Sequence, residues 1–527
     1  MTKKASLRTR RTEAQLHALA GVEREIRATD QNGQRKYLQD FSHAFRRYES
    51  VLAPEKLNAW LNAASIVLIG DYHALPAAQQ FATNLLEQRA QPGDRPVVLG
   101  VETIFARDQH IVDEWWRREI DEEEFRQRMR FDLDWGYDWT PFFQLLKTAR
   151  EHADGIYGLD CMPREDLRKI GARDRHAAHK ISEIRQRHPG AVIMVVFGES
   201  HLAPGHLPRL LHGQLPGERV LTVLQNVDAL YWQAAGERQD QVEAVQVCED
   251  VVCAFNATPL EKYENYRLYL SRLGRAPEEG PDAAPTIYNL IDSLIRFLDI
   301  NRYSPTNSAQ PKFLIDLLPE VCGPAADVRL RRMLSRQAVS ETELGIMFRQ
   351  VEERGSLYLP QLNALYVREF QMMYAAEEAA RFLHHACRGL PLRADKNLED
   401  GFSPADRFYT LAFEQALAYF GSRVLCPARP AVRDEKGNQL SRVRCEKRME
   451  SAVRGKEEDF LAAAQLLGYM IGSQLYDVYL SGGIVRAQLR RLFLTHTEAS
   501  AQAREACWEL ISQTCRSGSK ARAAVAQ

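Results

Sequence analysis

Ser65-Ile66-Val67-Leu68-Ile69-Gly70-Asp71-Tyr72-His73 decides the fold, because its grammar returns at Ala191-Val192-Ile193-Met194-Val195-Val196-Phe197-Gly198-Glu199-Ser200-His201. Each copy is a short apolar run rich in β-branched residues, then glycine, an acid, one spacer and a histidine. A continuous apolar run of that length, bounded by glycine, reads as a strand buried on both faces. The glycine lets the backbone turn where the strand ends. Acid and imidazole then lie just past the carboxyl end of a buried strand, the rim where open α/β sheets bind their ligands. One such motif is easily met by chance; two in the same local context carry more weight.

Outward from these runs, three more strands are expected. Residues 95–102 (R-P-V-V-L-G-V-E) end on Glu102, residues 155–160 (G-I-Y-G-L-D) end on Asp160, and residues 219–225 (R-V-L-T-V-L-Q) make a fifth. Residues 242–247 and 251–255 pair antiparallel at the sheet edge. Helical patterns fill the gaps: two helices within 31–63, then 75–90, a charged amphipathic stretch over 107–130 with Trp115 and Trp116, 141–151, and a long charged, solvated helix over 164–188. Strands alternating with helices imply an α/β fold, a mostly parallel sheet with helices on both faces. Residues 273–285, rich in proline, glycine and acids, mark a domain boundary. Beyond it the patterns at 286–298, 311–318, 361–387, 404–420 and 459–480 are helical, so an all-α helical domain follows. Residues 427–444 are polar, with a hairpin signal at Lys436-Gly437-Asn438. The expected organisation is a basic, disordered or helical tail over 1–30, an α/β domain over 31–272, a helical domain over 286–516, and a tail over 517–527.

Composition narrows the class. A chain of 527 residues is too long for one core, and its 45% apolar and 26% charged residues are those of a globular protein. A net charge of -1 argues against a polyanion-binding surface over the whole molecule, so nucleic acid is not expected as a partner. Nine widely spaced cysteines with no C-x-x-C point to reduced thiols and a cytoplasmic location. The basic stretch 1–11 is not followed by the apolar core of a secretory signal. Residues 460–476 lack charge and carry Gly468 and Gly472 as G-x-x-x-G, but the run is too short to span a bilayer, and close helix packing is the reading. There is no Walker A sequence, G-x-G-x-x-G, H-E-x-x-H or G-x-S-x-G elbow.

The chemistry concentrates at the rim. Four strands end in Asp71/His73, Glu102, Asp160 and Glu199/His201, and parallel strands put those ends side by side. His73, Glu102 and His201 suit a divalent metal such as zinc or manganese, with Glu199 or Asp160 as general base or supporting partner. The same residues also suit metal-free work, with Glu102 or Glu199 orienting a histidine that deprotonates water, so Glu199, His201 and Asp160 are the catalytic expectations. The acidic aromatic loop 131–139 (F-D-L-D-W-G-Y-D-W) either covers a flat ligand or anchors itself in the core. In the first case Trp135 stacks on that ligand and Tyr137 or Tyr72 offers a phenolate oxygen to iron. In the helical domain Glu377 and His384, and Glu378 and His385, share a helix face near Glu414, which reads as structural because facing ligands are lacking.

These pieces together resemble the ChaN-like proteins, the haem-binding uptake branch of the superfamily that also holds the Tiki/TraB proteins and the erythromycin esterases. The matching segments are G-D-Y-H, G-V-E, W-G-Y-D-W-T-P-F-F, G-L-D-C and F-G-E-S-H, in that order over about the first 270 residues. The resemblance implies an α/β sheet with a pocket at the two histidine motifs. The ChaN branch implies haem or iron; the Tiki and esterase branches imply hydrolysis by motif histidines and glutamates. The leading expectation is a ChaN-like protein binding haem or a metal in a His/Glu pocket. The alternatives are a metal-dependent or His/Glu hydrolase of an ester or amide, and a non-catalytic interaction protein acting through its helical domain. A small-molecule ligand or haem is the expected partner, with a homo-oligomer or a protein docked on the helical domain left open.

Overall fold

Apolar composition makes the strands, and their order in space puts the motif residues together. In the computed structural model the strands are β1 (Ser50–Val51), β2 (Ile66–Asp71), β3 (Val97–Phe105), β4 (Gly155–Asp160), β5 (Val192–Gly198), β6 (Val220–Gln225), β7 (Ala244–Cys248) and β8 (Val251–Ala254). They form one eight-stranded sheet in the order β1-β7-β8-β6-β2-β5-β3-β4. Every pairing from β8 to β4 is parallel; β7 runs antiparallel to β8, and β1 antiparallel to β7. The antiparallel pair read from sequence is therefore there, with β1 completing the edge outside it. The structure describes residues 2–30, 36–90, 95–161, 170–237, 242–273, 275, 280–301, 317–337, 339–388, 403–432, 440–495, 502 and 504–512. The chain divides into two compact units, Glu25–Tyr269, and Met1–Arg24 with Leu270–Gln527.

In the first unit the inner strands are buried along their whole length, as uninterrupted Val/Ile/Leu runs require. Alternate residues serve two cores. Val67, Ile69, Met194 and Val196 pack with Leu85, Leu86 and Leu145 on one face, while Ile66, Leu68, Ile193 and Val195 pack with Ile181 and Ile184 on the other. The two motif strands are direct neighbours, registered from Ile66 opposite Ile193 to Asp71 opposite Gly198. Their terminal acids and histidines therefore leave the sheet side by side.

Three local departures from the sequence reading have physical causes. The stretch 107–130 is broken into Gln109–Trp116 and Glu122–Arg128. Arg118 turns left-handed at φ 63° after the first helix, and Asp121 caps the second by accepting from Glu124 N. Strand β3 runs on to Phe105 instead of stopping at Glu102, with a register shift between Val101 and Phe105. Glu102 thus sits in an irregularity that re-aims a side chain. The helix Ile170–Arg187 is not solvated all round, because Arg173, Asp174, Ala177, Ala178, Ile181 and Ile184 are buried.

The second unit is mostly helical. The N-terminal segment, read as a disordered or helical tail, is helical over Thr2–Thr29, and its first 24 residues group with this unit. One feature departs from a wholly helical reading, a small sheet of β9 (Glu320–Cys322), β10 (Ser356–Leu359) and β11 (Ala364–Val367) in the order β10-β11-β9. β10 and β11 are buried on both faces, so they show no alternation, and β11 falls inside a stretch read as helix that begins only at Met372. Most of the helix expected at 311–318, the hairpin at 436–438 and the tail at 517–527 lie outside the described residues.

Gly468 and Gly472 serve close packing between the helices Pro404–Leu425 and Glu457–Ser481. A methyl group on Gly472 would lie 2.5 Å from Ala416 O and 3.0 Å from Tyr419 Cβ. Because the first of these is backbone, Gly472→Ala forces the helices apart and costs about 1–3 kcal/mol, read as a lower unfolding midpoint. Among the described residues no helix is long and apolar enough to cross a membrane, and the eight cysteines they include are free thiols.

Candidate functional site

Strands β2, β5, β3 and β4 stand next to one another, so the ends that carry Asp71/His73, Glu199/His201, Glu102 and Asp160 share one rim. Glu102, 3% exposed, is the centre. Its Oε2 lies 3.5 Å from His73 Nε2 and its Oε1 lies 3.6 Å from His201 Nε2. Arg173 Nη2 donates to Oε1 at 2.5 Å, and the Gly198 N–H donates to Oε2. Glycine eases that approach, since a methyl group there would lie 2.9 Å from Glu102 Oε2 and 3.4 Å from His73 Nε2 and would push the carboxylate aside.

Each imidazole is fixed from behind by an aspartate. His73 Nδ1 bonds Asp71 Oδ2 at 2.7 Å, and Asp71 Oδ1 accepts from Gln79 Nε2 at 2.5 Å. His201 Nδ1 bonds Asp174 Oδ1 at 2.5 Å, and Asp174 Oδ2 bonds His206 Nδ1 at 2.8 Å. With both Nδ1 atoms held by aspartates, both Nε2 atoms turn towards Glu102.

Burial alone would lower the pKa of His73, but Asp71 and then Glu102 outweigh it and raise it to about 9. Burial works against Glu102 as a carboxylate too, yet Arg173, His201 and His73 hold its pKa well below the usual range. A histidine bound to its proton until about pH 9 rather than 6.5 contributes on the order of 3 kcal/mol. That contribution is complete below about pH 6.5 and lost as pH rises through about 9. Denaturant unfolding from pH 6 to 10 checks it: the wild type loses stability over that range, and a folded His73→Gln variant loses correspondingly less.

The residues singled out from sequence fall into three groups. His73, Glu102 and His201 come together, but as a hydrogen-bonded ion network rather than a ligand set for zinc or manganese. Among the described residues no group of three or more His, Cys, Asp and Glu is arranged to hold a metal, and the Arg173 guanidinium already neutralises Glu102. Asp160 and Glu199 are near but differently engaged. Asp160 accepts from Arg173 Nε and Nη2 at 2.9 and 2.6 Å, and burial raises its pKa against the pull of that cation. Glu199 accepts from Lys262 Nζ at 2.9 Å, and burial likewise raises its pKa. The aromatic residues pack: Trp135 and Tyr137, 3% and 6% exposed, lie against His73 with ring centroids 5.5 and 5.3 Å away, and Tyr137 stacks on Tyr269. Tyr72 lies beneath Lys262, whose Nζ is 4.5 Å from the ring centre.

Sequence reasoning missed Arg173, Asp174, Lys262 and His206. A signal for the first two exists, because Arg173 and Asp174 stand one turn before Ala177 and Ala178 on the stripe that continues to Ile181 and Ile184. In the second unit Glu377 is held by Arg429 Nη2 at 2.5 Å and Gln415 Nε2 at 2.7 Å. His384 bonds Phe493 O at 3.1 Å, and His385 lies 3.6 Å from Glu414.

Residues 57–189 match the family model described as haem-binding uptake, Tiki superfamily, ChaN. The chain carries a ChaN-like domain. The matched span runs from before β2 through β3 and β4 to the helix that supplies Arg173 and Asp174, so it covers most of the site and stops short of His201. Among solved structures the chain is similar to one described as cofacial haem binding to ChaN of Campylobacter jejuni. That likeness has 11% identity and a TM-score of 0.26, over 33% of this chain and 86% of the other, too slight to carry an inference. No curated protein matches the chain.

Proposed function

We propose that the ChaN-like unit is an acid–base catalyst that hydrolyses an ester or amide. One observation carries the reading: two aspartate-held imidazoles aim their Nε2 atoms at a single buried carboxylate. Separations of 3.5 and 3.6 Å make these contacts weak, so a substrate oxygen or a water competes for either Nε2. His73, held charged to about pH 9, is the acid that protonates a leaving oxygen or nitrogen. His201, its ring fixed by Asp174, takes a proton from the attacking water when it is in its neutral form. Asp71 and Asp174 hold the two rings in place, and Glu102 with Arg173 keeps the centre's charge balanced.

Haem is the second reading, and the family description favours it. The residues assigned to it from sequence fit poorly. His73 has its Nδ1 bonded to Asp71 and its Nε2 facing Glu102, Trp135 and Tyr137 are buried against it, and Tyr72 lies beneath Lys262. The test runs both readings on the full chain: hydrolysis of a panel of activated esters and anilides, and titration with haemin followed at the Soret band. Turnover lost in His201→Ala, with no Soret band that depends on His73 or Tyr137, supports the hydrolase. A Soret band abolished in His73→Ala and Tyr137→Phe, without turnover, replaces it with haem binding.

A further inference from the structure

A surface groove of about 520 Å³ opens in the first unit between the helix Lys36–Ala44 and the loop after His201, lined by Asp40, His43, Ala203, Gly205 and His206. His206 joins this groove to the buried centre. Its side chain is 18% exposed, and its Nδ1 lies 2.8 Å from Asp174 Oδ2, while the other oxygen of Asp174 lies 2.5 Å from His201 Nδ1. Asp174 is 1% exposed, and imidazoles flank both its oxygens. A side chain that only oriented His201 would need one such bond. Two of them make a continuous path from solvent to Nδ1 of a histidine that is itself 4% exposed.

We propose that His206 and Asp174 form a proton relay that empties and refills His201 through the Asp40/His43 groove. The proposal rests on the acid–base reading of the centre and adds the route by which it resets. A proton taken up at His201 Nε2 displaces the Nδ1 proton onto Asp174 Oδ1. The Asp174 carboxyl group, turning about its Cβ–Cγ bond, passes that proton to the unprotonated Nδ1 of His206, and His206 releases its Nε2 proton to the groove. One proton enters at His201 and one leaves at His206; Asp174 ends as the carboxylate it began as, each imidazole ends as its other tautomer, and the reverse passage restores both. The groups facing His206 are Asp174 from the helix Ile170–Arg187, and Asp40 and His43 from the helix Lys36–Ala44, with His43 bonded to Arg46. His206 is a positioning and shuttling residue that does not touch substrate.

Histidine side-chain ¹⁵N NMR on the full chain tests the relay without reference to turnover. Solvent exchange of the His201 ring protons slows by about tenfold or more in His206→Gln and in Asp174→Asn. In His206→Ala, added imidazole enters the vacated groove and restores the rate. Unchanged exchange in a folded His206→Gln overturns the relay, as does slowed exchange in His206→Ala that imidazole does not restore. Slowed and rescued exchange in a chain without esterase or amidase turnover supports the relay and removes the catalytic reading. Turnover with exchange indifferent to His206 does the reverse.

Discussion

Arg173→Met lowers the stability of the ChaN-like unit by about 3–5 kcal/mol at neutral pH. Arg173 is 3% exposed and lies between two carboxylates, Glu102 at 2.5 Å and Asp160 at 2.6 and 2.9 Å, themselves 3% and 0% exposed. Methionine keeps much of the volume and removes the charge, leaving two acids buried together without a cation. The sign of the pH dependence identifies the cause. In the wild type Glu102 has a depressed pKa, so its contribution is present above the ordinary carboxylate range and lost as pH falls. In the variant both acids are pushed upward, so acid helps the folded state and the gap to wild type narrows as pH falls towards 4. Denaturant unfolding at several pH values reads both effects. A loss below about 0.5 kcal/mol would mean the ion cluster does not hold the rim together.

His201→Ala lowers hydrolytic turnover by about 10²–10⁴-fold while changing substrate affinity little, because it removes the proton acceptor and leaves the other groups around Glu102 in place. His73→Ala falls in the same range, and the double variant is little worse than either single one, since the two imidazoles act in one proton cycle. Stability separates chemistry from collapse. His201→Ala leaves Asp174 with its second bond to His206, so the fold survives. Turnover within a few fold of wild type in both single variants would remove the catalytic reading.

The sheet was legible because buried strands announce themselves: the runs ending at Gly70 and Gly198 have no other structure open to them. Repetition of the G-acid-x-His grammar then pointed at His73 and His201, and parallel topology brought them together. Glu102 was found for an incomplete reason. The sequence pattern ends the strand at Glu102, whereas the residue stands in an irregularity of a strand that continues to Phe105. Arg173 and Asp174 were hidden by helix composition, since R-D-R-H-A-A-H-K reads as solvent-facing until the alanines and isoleucines behind it are given a phase. The metal expectation leaves out that same helix, whose Arg173 guanidinium is a cation already beside Glu102. The strands β9 to β11 are three or four residues each and lack alternation, which leaves too little pattern to tell them from short helix.

The titration of His73 bears most directly on whether two distant motifs share one carboxylate. Followed by side-chain ¹⁵N or ¹³C NMR, the wild-type ring stays protonated until about pH 9, and Glu102→Gln or Asp71→Asn brings its titration down towards 6.5 or below. A wild-type His73 that titrates near 6.5 and ignores both substitutions would show that the imidazole does not sit between those acids, and the acid–base centre would be gone.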